Sequence, residues 1–136
     1  YGPRMRKDDG RVVPNFIDQC LNNKPITIYG DGSQTRSFCY VSDMVDGLIR
    51  MMGSKEIGPK NIGNPNETTV LAIAKLIKKM TKSKSDFIYE PLPKDDPTKR
   101  NPDISKAREL LGWEPKIELE EGLTETIEWY KKNGTK

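Results

Sequence analysis

The chain has 136 residues, 34% of them hydrophobic and 32% charged, and a net charge of +3 left by 23 basic and 20 acidic side chains. That is enough for one modest domain of a soluble protein, and charges mixed along the sequence imply no nucleic-acid partner. There is no His, which excludes a His-based triad or zinc site within these residues, and the most apolar stretch, 45–52, is interrupted by Asp46 and Arg50 and is far shorter than the ~20 residues a membrane span needs.

The chain opens on Tyr1-Gly2-Pro3-Arg4-Met5, a turn sequence of the kind that leaves a strand, with no initiating Met. A fragment whose upstream part is missing is the expectation. Val13, Phe16, Ile17, Cys20 and Leu21 recur at helical spacing, with Pro14 tolerated in the first turn, and predict a helix over roughly 13–23. Ile26 to Tyr29 alternates as a strand, stops at Gly30-Asp31-Gly32, and gives way to a second β-like run from Ser37 to Val41. Met44, Val45, Leu48, Ile49 and Met52 form the apolar face of a second helix, ended by Gly53, and Asp43 is expected to cap it.

Asn61 to Pro65 reads as a short strand running into a loop, with Asn61 and Asn64 as turn-formers. Thr68-Thr69 then caps a helix whose face is Ile73, Leu76, Ile77 and Met80. Phe87 to Tyr89 predicts a short strand. The loop from Pro91 to Pro102, bracketed by prolines and too polar for core, is where function is expected. Asp103 should cap a short helix with Ile104, Ala107, Leu110 and Leu111 inward and Gly112 past its end, Trp113 should pack into core, and Leu123, Ile127 and Tyr130 give the last helix its face. Strands and helices alternating in this way predict an α/β fold. Cys20 and Cys39 each lie in an apolar pattern and read as reduced core thiols, not a disulfide or a metal pair, and no metal site is expected.

Three arginines stand out. Arg36 follows the glycine turn, where its planar, permanently charged fork suits two oxygens of a diphosphate; Arg11 precedes the first helix, and Arg100 lies in the long loop. Taken singly, each reads as an ordinary surface arginine.

The runs YGPRM, DGRVVPNFI, PITIYGDGSQTRSFCYVSDMVDGL, NIGNP, DDPTKRNPDI and LGWEPKIELEEGL change that reading. In order and spacing they resemble the C-terminal half of the extended short-chain dehydrogenases that act on nucleotide sugars, and among these the UDP-glucuronate decarboxylases. The resemblance spans essentially the whole chain. It implies a Rossmann-type parent, of which residues 1–136 are the C-terminal nucleotide-sugar-binding part, with the elements at about 40–64 completing the missing N-terminal Rossmann domain, so that Met44, Val45, Leu48 and Ile49 are expected to form an exposed apolar patch in this chain alone. Residues 9–17 resemble the start of the substrate lobe, where Arg11 approaches the nucleotide sugar. Ile26 to Tyr29 resembles the strand that flanks the uracil, with Ile26 and Tyr29 as substrate contacts. Gln34 and Arg36 match the diphosphate-binding segment. Arg100 matches an arginine that reaches the nucleotide sugar and, in decarboxylating relatives, takes part in the chemistry. Arg6 falls where the chain passes the nicotinamide end of NAD.

The chemistry so implied for the parent is oxidation at the sugar C4 by NAD, loss of the carboxylate from the resulting 4-keto acid, and return of the hydride to give UDP-xylose. A dTDP-glucose 4,6-dehydratase or a UDP-sugar 4-epimerase is the alternative within the same class, and a non-catalytic nucleotide-sugar-binding module the alternative outside it. The family's glycine-rich dinucleotide loop and its Tyr-x-x-x-Lys base are not in this sequence. Both are expected upstream, and the 136 residues alone are expected to be inactive. The resemblance further implies a homodimeric parent. A cytoplasmic location is expected, or the Golgi lumen if the upstream part carries a membrane anchor.

Overall fold

The computed structural model describes residues 1–7, 10–94 and 97–134. Asp9, in the segment likened to the start of the substrate lobe, and Asp95 and Asp96, in the proline-bracketed loop, lie outside the described residues. The elements in chain order are α1 (Val12–Leu21), β1 (Ile26–Tyr29), β2 (Thr35–Ser37), α2 (Val41–Gly53), β3 (Glu67–Thr69), α3 (Val70–Thr81), β4 (Phe87–Glu90), α4 (Ser105–Leu111) and α5 (Leu119–Asn133). β1 pairs with β4 in parallel, Ile26 opposite Phe87, and β2 pairs with β3 antiparallel, Thr35 opposite Thr69. The fold is α/β, as the alternating pattern predicts.

The main core gathers α1, α3, α5 and β1. Val13, Phe16, Ile17 and Cys20 of α1 meet Ile73, Ala74 and Ile77 of α3, Ile26 and Ile28 of β1, and Leu123, Ile127 and Tyr130 of α5. The predicted helical faces are the buried ones here, because each stripe is wide enough to be covered on one side. Pro14 sits in the first turn of α1, where its missing N–H has no intrahelical partner to lose. Thr69 caps α3, its hydroxyl accepting from the Ala72 amide at 3.1 Å. Tyr130 closes the core from the far end by donating its hydroxyl to the Met5 carbonyl.

A second, smaller cluster is built on Trp113 with Ile104 and Ala107. Here two expectations change, at Asp43 and at Leu110, while the exposure expected of the α2 stripe is found at Val45, Leu48 and Ile49. Asp43 does not cap α2, whose N-cap is Tyr40. Its carboxylate instead accepts from the amides of Lys116 and Ile117 at 3.0 and 2.9 Å, while its carbonyl accepts from the Trp113 indole at 3.0 Å, so one residue ties the last loop to α2. The apolar stripe of α2 faces outward: Val45, Leu48, Ile49 and Met52 are exposed, and the face turned inward is that of Asp43 and Gly47. Gly47 has no room for a side chain, since a Cβ there would lie 2.6 Å from Ile62 and 3.1 Å from the Trp113 ring. Leu110, expected inward on α4, is exposed at the surface, while Ile104 and Ala107 are buried as expected.

The strand read at 61–65 is irregular backbone: Asn61 reaches the Asp103 carbonyl at 3.0 Å, and Asn64 accepts from the Asn66 amide at 2.9 Å. The strand lies a few residues further on, in β3, and β2 correspondingly precedes the run read at 37–41. Pairing between distant segments decides both, and strand propensity is too weak to override it. Asp103 does act at the start of α4, accepting from the Ser105 amide at 2.9 Å, one residue ahead of the N-cap Ile104. Gly112 follows α4 in the left-handed conformation, with φ 59°.

Candidate functional site

Below the open edge of β1 lies a cavity of about 930 Å³. Its floor is the N-terminal half of α1, one wall is β1 and β2, and Pro93, Lys94 and Arg100 of the long loop form the other. The alternation of β1 decides which of its residues reach it. Ile26 and Ile28 point into the core and are fully buried, and the Ile26 amide is spent on the Asp86 carbonyl of the neighbouring strand at 2.8 Å. Thr27 and Tyr29, the alternate positions, line the cavity. Ile26, carried over as a substrate contact together with Tyr29, lies in the core and not among the cavity's lining residues, where Thr27 and Tyr29 stand.

The free edge of β1 is held open by α1 and the glycine turn. Gln19 accepts from the Thr27 amide at 3.1 Å and donates to the Thr27 hydroxyl at 3.3 Å. Gln34, nearly buried, donates to the Tyr29 carbonyl at 2.9 Å. The turn between β1 and β2 that makes this possible has Gly30 and Gly32 at φ 65° and 76°, and a Cβ on Gly32 would meet Leu71 at 2.8 Å. Asp31 braces it by accepting from the Ser33 amide and hydroxyl, and those bonds lower its pKa.

Of the arginines singled out, Arg11, Arg36 and Arg100 all line this one cavity, although 25 and 64 residues separate them (36 − 11 and 100 − 36). Arg36 is half-buried on β2, with one guanidinium nitrogen donating to the Thr35 carbonyl at 2.7 Å. Arg100 approaches from the loop, whose backbone is bound to β2 through Thr35 N–H to the Thr98 carbonyl at 3.0 Å and the Ser37 hydroxyl to the Arg100 carbonyl at 3.0 Å. Lys94 adds a fourth cation. Among the described residues lining the cavity there is no carboxylate. A concave surface that gathers four cations favours a multiply charged anion, and arginine forks suit phosphate oxygens in particular. Tyr29 and the β1 edge add an aromatic face and main-chain groups of the sort that read a planar base.

Arg6 is exposed and does not line the cavity, although its neighbour Met5 does. Gln19, Thr27 and Lys94 went unnoticed in the sequence. For Thr27 the signal was there: in a strand whose Ile26 and Ile28 are apolar, the alternate positions must face the other way. Cys20 and Cys39 are free thiols, and burial pushes both pKa values up. No group of acidic or thiol side chains among the described residues could hold a metal ion.

Residues 1–64 match the NAD dependent epimerase/dehydratase family. The chain is 54% identical over 123 residues to UDP-glucuronic acid decarboxylase 2 of Arabidopsis thaliana, covering 90% of this chain and 28% of that protein. It is 52% identical over 132 residues to UDP-glucuronic acid decarboxylase 1 of Danio rerio, covering 97% and 32%. The chain thus spans about a third of the curated relatives it matches. Among solved structures it superposes on the UDP-glucose 4-epimerase of Thermotoga maritima, solved with UDP-glucose, with a TM-score of 0.93 at 38% identity, covering 97% of this chain and 43% of that one. It also superposes on the UDP-glucuronic acid 4-epimerase of Bacillus cereus, solved with UDP-glucuronic acid and NAD, with a TM-score of 0.89 at 33% identity, covering 97% and 42%. By sequence over residues 1–64, and by fold over nearly its whole length, the chain is similar to the NAD dependent epimerase/dehydratase family.

Proposed function

We propose that, within that family, the chain is the nucleotide-sugar-binding part of an enzyme that converts UDP-glucuronate to UDP-xylose. The observation that carries the reading is the cavity where Arg11, Arg36, Lys94 and Arg100 converge beside Tyr29 and Thr27 of β1. Likeness to UDP-glucuronic acid decarboxylases over nine tenths of the chain supports the substrate. Arg36 and Arg11 take the diphosphate, Tyr29 and the free edge of β1 take the uracil, and Arg100 reaches over the sugar, where its charge holds the carboxylate before it departs.

Neither the start of α1 nor that of α3 offers a seat for the NAD pyrophosphate. The start of α1 is Val12-Val13-Pro14 with no glycine cradle, and the α3 N-terminus is occupied by the Thr69 hydroxyl. The resemblance assigns the cofactor and the base to the remainder of the proposed parent protein, with Arg6 at most brushing the nicotinamide end. That remainder also covers the exposed stripe of α2, so that residues of about 40–64 complete its dinucleotide domain. The resemblance extends the proposal to a homodimeric parent, placed in the cytoplasm or, with an upstream anchor, in the Golgi lumen.

A UDP-sugar 4-epimerase is the second reading, favoured by the superposition on two such enzymes. Products separate the two. The full-length protein supplied with UDP-glucuronate and NAD should release carbon dioxide and form UDP-xylose; a product that keeps its carboxylate would establish the epimerase, and binding without turnover a non-catalytic module.

A further inference from the structure

Glu67 makes contacts that neither its strand nor the helix after it requires. One carboxylate oxygen accepts from the Thr35 hydroxyl at 2.6 Å, and the other accepts from Asn101 Nδ2 at 3.0 Å and pairs with Lys99 Nζ at 3.2 Å. Thr35 immediately precedes Arg36, and Lys99 and Asn101 stand on either side of Arg100. Glu67 itself does not line the cavity. A single side chain outside the site thus grips the neighbours of two arginines that line it, at separations of 32 and 34 residues.

We infer that Glu67 is a positioning residue that fixes the loop bearing Arg100 against the strand bearing Arg36, and so sets the spacing of the two guanidinium groups for a diphosphate. The inference rests on the nucleotide-sugar reading and deepens it. The same two segments also meet through the Thr35 amide to the Thr98 carbonyl and the Ser37 hydroxyl to the Arg100 carbonyl, and both bonds lie within a residue or two of the carboxylate's partners. Lys99 is largely exposed, so its ion pair alone would hold little. The bonds from Thr35 and Asn101 to a half-shielded carboxylate are the directional part, and bonds to an ionised acceptor are the stronger kind. The Thr35 bond first, then those from Lys99 and Asn101, lower the Glu67 pKa, so the anchor stays charged at neutral pH.

The test uses the full-length protein and two readouts, hydrogen exchange at the Thr35 amide without ligand and calorimetric titration with UDP. Glu67→Ala should speed Thr35 exchange at least about tenfold and weaken UDP about tenfold. Glu67→Gln keeps an acceptor for Thr35 but turns a donor towards Asn101 and Lys99, and should fall between the two. It also carries the test if the alanine variant does not fold. In an Arg36→Ala/Arg100→Ala background, Glu67→Ala should change UDP affinity by less than about twofold, because nothing is left to position. Unchanged Thr35 exchange, or the same loss of affinity with and without the arginines, overturns the inference. A wild-type protein that ignores UDP would sink the nucleotide-sugar reading instead, while the exchange result would still decide whether Glu67 fixes the loop.

Discussion

Around α1, α3, α5 and β1 each apolar stripe finds a partner in this chain, with Ile17, Ile26, Ile28, Ile73, Ile77 and Leu123 fully buried. Across the molecule α2 does the reverse, burying Asp43 and Gly47 and turning Leu48, Ile49 and Met52 outward at 51%, 62% and 85% exposure. Both helices carry the same periodic sign, so periodicity records that a face is to be covered and says nothing about what covers it. The cavity lies where the two sides meet: Phe38 packs against the large core, Cys39 against the Trp113 cluster, and both line it. The closed side supplies the rigid floor, and the open side is where the rest of the proposed parent would dock.

The largest effect should come from the closed side. Ile77→Ala removes a fully buried side chain between α1 and α3 and should cost about 2–5 kcal/mol of unfolding free energy. Urea unfolding measures it. A loss under about 1 kcal/mol would mean that the core relaxes freely and that the contrast with α2 is overstated.

At the seam, Arg36→Ala in the full-length protein should weaken UDP binding by about 1.5–3 kcal/mol, the range for a hydrogen bond to a charged group. Arg36→Lys should restore only part, since a point charge does not reproduce the fork. Calorimetry with unchanged UDP affinity in the alanine variant would remove Arg36 from the site. The seam should also respond to acid. The Glu67 pKa is lowered on folding, so its contribution is complete above the ordinary value of 4.5 and is lost as pH falls through the lower folded value. Thr35 amide exchange, corrected for its intrinsic pH dependence, should quicken over that window while the α3 amides stay protected. Loss of both together would show that the seam is no weaker than the core.

The same contrast explains what could be read from the sequence. α1, α3 and α5 were legible because local spacing and local burial agree there. β2 and β3 were misplaced because a three-residue strand is defined by its partner 32 residues away, and no local pattern records that. Asp43 looked like a cap because an acidic residue near a helix start has that habit, yet its partners, Lys116 and Ile117, come from far along the chain. Arg11, Arg36 and Arg100 were legible only through resemblance to a family: each looks like surface on its own, and only the folded chain brings them to one cavity. Glu67 had no sequence signal of its own, because its meaning lies entirely in the neighbours of the two arginines.

The smallest expected effect separates the two sides most cleanly. Ile49 is exposed on α2, so Ile49→Ser should change the unfolding free energy of these 136 residues by less than about 0.5 kcal/mol, as surface substitutions generally do. In the full-length protein the same change should cost more, since the stripe is proposed to be buried there, and burying an Ile contributes about 1.5–3 kcal/mol relative to leaving it in water. The informative quantity is the difference between the two measurements. Equal, near-zero effects in both would mean that the stripe stays bare in the parent and that residues of about 40–64 complete nothing. A large loss in the 136-residue chain itself would mean that its own copies cover the face, and the concentration dependence of unfolding would then reveal that association.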